Sequence, residues 1–159
     1  MITTIHERRN YINRQSPHKK HLHHIIAANL DQSILFATLK EPRTSQGFID
    51  RFLIVSEAYH IPGVLVFNKA DLYGKKEMQQ FEEWKEMYEA AGYPVLLVSM
   101  ETGQGVESLQ QRLQQRTSLL SGHSGVGKSR FINIMMPELE LRTGEVSGWS
   151  GKGMHTTTF

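Results

Sequence analysis

The 159-residue chain contains no cysteine, which excludes disulfides, thiol redox motifs and thiolate metal sites and leaves packing to hold the fold. This fits a reducing compartment. No stretch approaches the roughly 18 uninterrupted apolar residues that a membrane helix needs. The opening Met1-Ile2-Thr3-Thr4 lacks the charged-then-apolar pattern of a signal peptide. A cytoplasmic protein without a membrane partner is therefore expected. Aspartate is scarce, with Asp31, Asp50 and Asp71 the only three, all in the first half of the chain. What is present is ordinary: a hydrophobic fraction of 39% and a charged fraction of 21% suit a soluble globular domain with one core.

The formal net charge is only +2, but the basic residues are unevenly placed. Arg8, Arg9, Arg14, His18, Lys19, Lys20, His21, His23 and His24 crowd the first 24 positions. Such a leader suits an anionic partner such as RNA, where Lys and Arg gain affinity by releasing condensed counterions; a solvated terminus has the same composition. Neither carboxylate nor cysteine accompanies these histidines at ligand spacing, so no metal site is expected there.

Past the leader, apolar runs alternate with longer amphipathic stretches, the pattern of strands and helices in an α/β sheet. Five strands at most are expected. Residues 25–27 and 33–37 compete for the first, with the second preferred. Residues 63–67 and 95–98 are short, apolar and β-branched, which predicts strands buried on both faces. Residues 117–121 form a weaker strand. Helical spacing places Phe48, Phe52, Val55 and Tyr59 on one face, and Met78, Phe81, Lys85 and Tyr88 on another beside Trp84. These aromatics read as core. Two shorter helices are expected over 105–115 and 128–136, the latter stopping at Pro137. From residue 138 to 159 the periodicity is lost.

Gly122-His123-Ser124-Gly125-Val126-Gly127-Lys128-Ser129 has the spacing of a phosphate-binding loop, follows a short apolar run and opens a helix. Its glycines allow backbone N–H groups to turn inward around phosphates, and the helix N-terminus adds a positive dipole end. Lys128 is placed to reach the β- and γ-phosphates and serves as a catalytic candidate. Ser129 is placed to ligate Mg²⁺, and Arg130 follows directly. A phosphate loop does not say which nucleotide is bound, so an ATP-using enzyme remains an alternative.

Asn68-Lys69-Ala70-Asp71 follows the strand ending at Phe67, at the strand end where open α/β sheets bind ligands. Guanine presents N1–H and N2–H₂ as adjacent donors to one carboxylate, whereas adenine offers no such pair, so Asp71 is expected to select guanine. Lys69 is expected to lay its stem over the base, and Asn68 to brace the loop. The Ser99-Met100 turn after the next strand is expected to approach the base through backbone N–H groups. Near the end, Gly153-Met154-His155-Thr156-Thr157-Thr158 offers a threonine to Mg²⁺ and the γ-phosphate. Thr157 is preferred over Thr156 and Thr158, with His155 a candidate for orienting water.

These motifs, together with Ala28-Asn29-Leu30-Asp31-Gln32 and Ile132-Asn133, resemble in identity and order the circularly permuted GTPases of the ribosome small-subunit-dependent GTPase A family, also called the RsgA or YjeQ family. The resemblance implies a P-loop, mostly parallel α/β sheet flanked by helices in circularly permuted order. It also implies a monomeric bacterial assembly factor for the small ribosomal subunit and its rRNA, using GTP, GDP and Mg²⁺. An rRNA-binding module with vestigial nucleotide binding is the alternative. Family members place an oligonucleotide-binding barrel before the GTPase core and a zinc-binding module after it, so zinc is expected only in that later module. On this basis residues 1–20 read as the last barrel strand plus a basic linker, and 21–159 as the GTPase core. The family's Asp-x-x-Gly element is expected soon after the threonines, and no aspartate follows the phosphate loop in the 159 residues. Hydrolysis by these residues alone is expected to be weak, and the edge of the strand leading into the phosphate loop is expected to be open.

Overall fold

The structure is a computed structural model that describes residues 2–15 and 23–139. Within these, a four-stranded parallel sheet carries the molecule. Its strands are β3 (Gln32–Ala37), β4 (Gly63–Phe67), β5 (Val95–Leu97) and β6 (Ser118–Ser121), in the spatial order β5-β4-β3-β6. Helices α1 (Gln46–Ala58), α2 (Lys75–Ala90), α3 (Val106–Leu113) and α4 (Lys128–Met135) connect or follow them.

The sheet is hydrophobic on both faces because its strands must bury both. Ile34, Phe36, Val64 and Val66 point to one side, packing with Val98 just after β5, Val126 of loop 122–127, Leu109 of α3 and Phe131 of α4. Their neighbours in sequence, Leu35, Ala37, Leu65 and Phe67, pack on the other side with Ile49 and Leu53 of α1 and Phe81 and Tyr88 of α2. This is the period of two expected of a strand, used here to fill two cores at once. Ring contacts close each layer: Phe36 against Phe131 at 5.5 Å, and Phe67 edge-on to Phe81 at 5.5 Å.

Several expectations change. Residues 25–27 and 33–37 are both strands, but only the second enters the parallel sheet. The first belongs to β2 (His23–Ala28), which pairs antiparallel with β1 (Tyr11–Gln15) in a separate two-stranded sheet. Past the leader five strands are described, the most expected there, and a sixth, β1, lies within the leader. On α1 the buried line is Ile49, Leu53 and Ser56, with Val55 exposed. The true stripe lies one position beyond the aromatic one, and Phe48 and Phe52 flank it. β4 is buried throughout, whereas β5, at the sheet's edge, is only half-buried. Among the described residues β6 pairs only with β3.

Candidate nucleotide-binding site

Because the four strands are parallel, the loops that follow them gather at one end of the sheet: residues 38–45, 68–74, 98–105 and 122–127. The phosphate-loop sequence and the Asn68-Lys69-Ala70-Asp71 turn leave β6 and β4, with β3 between them. A gap of two strand spacings, about 10 Å, must be bridged for both to act on one ligand.

Asn68 bridges it. Its amide Nδ2 donates to the Val126 carbonyl at 2.8 Å, and its Oδ1 accepts from the Met100 N–H at 3.3 Å, so one buried side chain ties three loops together. This contact explains Gly127. Its φ is +100°, and a Cβ there would lie well under 3.0 Å from Asn68 Nδ2. Gly122, at φ +143°, is held equally close to the Phe36 carbonyl. Both positions therefore require glycine for conformation and for space.

Asp71 is exposed, so its carboxylate is open to a ligand. Ser99 orients it. The Ser99 hydroxyl oxygen accepts from the Glu101 and Thr102 N–H groups, each at 3.2 Å, which directs its proton to Asp71 Oδ1 at 2.5 Å. The Met100 N–H is committed to Asn68, and those of Glu101 and Thr102 to Ser99. The expected backbone donors of this turn are thus engaged within the site, and Ser99 and Met100 act in it as braces.

Lys69 sits in the left-handed region at φ +65°, a conformation that costs about 1–2 kcal/mol for a residue with a Cβ. Its ammonium donates to the Glu41 carbonyl. Burial lowers its pKa, opposed by the charges of Glu41 and Asp71. Lys128, at the start of α4, curls its ammonium over the loop to the Gly122 and His123 carbonyls, each at 2.7 Å. Burial lowers its pKa too. The His123 ring stacks on Phe48 at 3.9 Å, and Arg130 pairs with Glu101 at 2.6 Å, both exposed, joining α4 to the Ser99 turn. Ser124, Gly125 and Ser129 complete the loop and the first turn of α4. His155, Thr156, Thr157 and Thr158 lie outside the described residues. Among the described residues no three His, Cys, Asp or Glu side chains group as a metal site, and no helix is long and apolar enough to cross a membrane.

One functional residue was not singled out in the sequence. The Tyr73 hydroxyl donates to the Asn68 carbonyl at 2.7 Å and accepts from the Leu39 N–H at 3.0 Å, pinning loop 38–45 to the Asn68 turn. Burial pushes its pKa well above the usual phenol range. Replacing Tyr73 with Phe keeps the ring but strands two backbone groups, a loss of about 1–3 kcal/mol. Urea unfolding should show a lower midpoint at unchanged slope; an unchanged midpoint would show that the clasp contributes nothing. The available signal was a single Tyr two residues after Asp71, an aromatic with a polar tip in a turn otherwise without rings.

A parallel sheet whose strand-end loops join a phosphate loop to an Asn-Lys-x-Asp turn defines a P-loop nucleotide-binding domain, here in circularly permuted order. The family model described as RsgA GTPase matches residues 5–159, and the chain belongs to the RsgA GTPase family. A small ribosomal subunit biogenesis GTPase RsgA of Cytophaga hutchinsonii is 53% identical over 159 residues, covering 100% of this chain and 52% of the relative. One from Bacteroides fragilis is 47% identical over 158 residues, covering 99% and 51%. The solved structure of YjeQ from Thermotoga maritima superposes with a TM-score of 0.75 at 34% identity, covering 95% of this chain and 51% of that one. YloQ, described as a circularly permuted GTPase, superposes at 0.66 with 30% identity, covering 94% and 48%. The chain spans about half the length of the curated relatives it matches.

Proposed function

We propose that this chain is the guanine-nucleotide-binding core of a GTPase that serves the assembly of the small ribosomal subunit in the bacterial cytoplasm. The whole protein, in this reading, acts as a monomer, touches the subunit's rRNA and hydrolyses GTP to GDP and phosphate. The observation that supports it most is the Asp71 carboxylate, held by Ser99 and coupled through Asn68 to the phosphate loop. One carboxylate oxygen is fixed by the hydroxyl and the exposed side chain is open to solvent, an arrangement that suits accepting the paired donors of guanine. The printed names of the relatives support the ribosomal assignment.

In this reading the inward-turned backbone of residues 122–127 cradles the phosphates, and Lys128 exchanges its two loop carbonyls for phosphate oxygens. The residues present fit a bound Mg²⁺: Ser129 lies in the first turn after the loop, and Thr157 is the further ligand proposed. When bound, the ion neutralises charge on the phosphates. His155 remains proposed for orienting the attacking water. Phosphoryl transfer requires little covalent chemistry from the protein, so positioning and charge carry the rate.

Gly127→Ala tests the link between the two halves of the site. The added Cβ meets Asn68 Nδ2 at a φ that L side chains rarely adopt, so labelled GDP should bind at least about tenfold more weakly in a fluorescence titration. Wild-type affinity in this variant would remove Asn68 from its bridging role. For the wider reading, GTP turnover by the whole protein should rise when small subunits are added and should vanish in Lys128→Ala. Turnover indifferent to subunits, or rRNA binding that is salt-dependent yet insensitive to nucleotide and to Lys128→Ala, would overturn it.

A further inference from the structure

Phe48 lies in the first turn of α1, and its ring stacks on His123, the second residue of the phosphate loop, with centroids 3.9 Å apart and planes inclined by 31°. Both sides of this contact are anchored. Ile49 and Leu53 of α1 are buried against the sheet, and Phe48 packs on the same cluster. The Tyr88 hydroxyl donates to Asp50 Oδ1 at 2.7 Å, tying α1 to α2. The loop that leads into α1 is closed on itself: the Thr44 N–H donates to the Thr38 carbonyl at 2.7 Å and the Thr38 N–H to Thr44 Oγ1 at 3.1 Å, with both residues fully buried. α1 therefore starts at a fixed place beside the end of β3. The phosphate loop starts there too, because Gly122 is close-packed on the Phe36 carbonyl.

His123 joins two of these parts. Its side chain is exposed, so the stack removes little area from water and acts on orientation more than on core burial. Its carbonyl accepts from Lys128 Nζ at 2.7 Å. One residue thus carries a ring held by α1 and a carbonyl that holds the lysine. Across a planar trans peptide the N–H points opposite to the C=O, so fixing the His123 carbonyl also fixes the direction of the Ser124 N–H.

We propose that Phe48 is a positioning residue for the phosphate loop: through His123 it holds the loop backbone and Lys128 in the arrangement that receives the nucleotide's phosphates. This rests on the phosphate loop holding a nucleotide, as proposed above, and not on which base is read. Without the stack, residue 123 loses its hold on α1, and the nucleotide must order the loop as it binds, which lowers affinity.

The test measures the affinity of the 159-residue chain for labelled GDP at fixed Mg²⁺. Phe48→Leu keeps an apolar side chain against the core but removes the ring, and should weaken binding about threefold to tenfold, the range of an aromatic pair. Phe48→Tyr restores the ring and should stay within about twofold of the wild type. His123→Ala, a change at an exposed side chain, should reproduce the loss. In the chain carrying both Phe48→Leu and His123→Ala the losses should not multiply, because either change alone removes the one stack. Wild-type binding tests the guanine reading by itself, and the comparison among variants tests the stack. Undiminished affinity in Phe48→Leu and His123→Ala, an equal loss in Phe48→Tyr, or losses that multiply in the double variant would overturn the proposal.

Discussion

Asp71→Asn should convert a guanine site into one that prefers xanthine. In the proposed reading the carboxylate accepts from N1–H and N2–H₂, and the amide replaces one acceptor with a donor, which faces a repulsive donor on guanine and a complementary carbonyl at position 2 of xanthine. GDP affinity should fall by about a hundredfold or more while XDP affinity rises, because a polar group in a shaped site is left facing the wrong partner. The structure adds a condition. Ser99 donates to Asp71 Oδ1, and an asparagine carbonyl placed there keeps that bond, so the NH₂ group takes the outward position. Competition of XDP and GDP against a labelled nucleotide reads the switch. Equal loss of both would mean that Asp71 supports the loop without touching the base.

Lys128→Ala carries the second large effect. The ammonium is half-buried among carbonyls of its own loop, and burial already lowers its pKa. Phosphate oxygens would supply the opposite charge that this position lacks, so its worth should rise on binding. Loss of the side chain should weaken GTP binding or turnover by about a hundredfold or more. The melting temperature without nucleotide should change little, since the removed bonds are to carbonyls of a solvent-accessible loop. A variant that binds and turns over GTP like the wild type would place the phosphates elsewhere.

The parts of the fold that were legible are those where chemistry is local. The Gly122 to Ser129 loop, the Asn68 turn and strands β3, β4 and β6 depend on short-range spacing, and the helices on a 3.6-residue period. Less legible were features set by partners distant in sequence. From its own residues, Tyr-Ile-Asn-Arg-Gln, β1 reads as part of a basic leader because they are mostly polar; a strand within residues 1–20 was expected from the family resemblance alone, and pairing with β2 forms it. The buried face of α1 was displaced because Phe48 and Phe52 outweigh Ile49 and Leu53 in size, yet the smaller residues face the sheet. Within the site, Asn68 bonds the Val126 carbonyl and the Met100 N–H, partners 58 and 32 residues away, while the Tyr73 clasp joins residues 39 and 73 and no local spacing announces it. The turn at Ser99 was readable as a site element, but its N–H groups serve Asn68 and Ser99 itself, a detail that only three-dimensional hydrogen-bond accounting supplies.

The central claim is that base recognition and phosphate binding, reversed in chain order, converge on one guanine nucleotide. It is tested most directly by displacing labelled GDP from the wild-type chain with unlabelled GDP and ADP at fixed Mg²⁺. The account predicts that ADP competes at least about a hundredfold more weakly than GDP, the discrimination expected of a site built to hydrogen-bond one base. Equal competition by ADP, or stronger competition by it, would contradict the account.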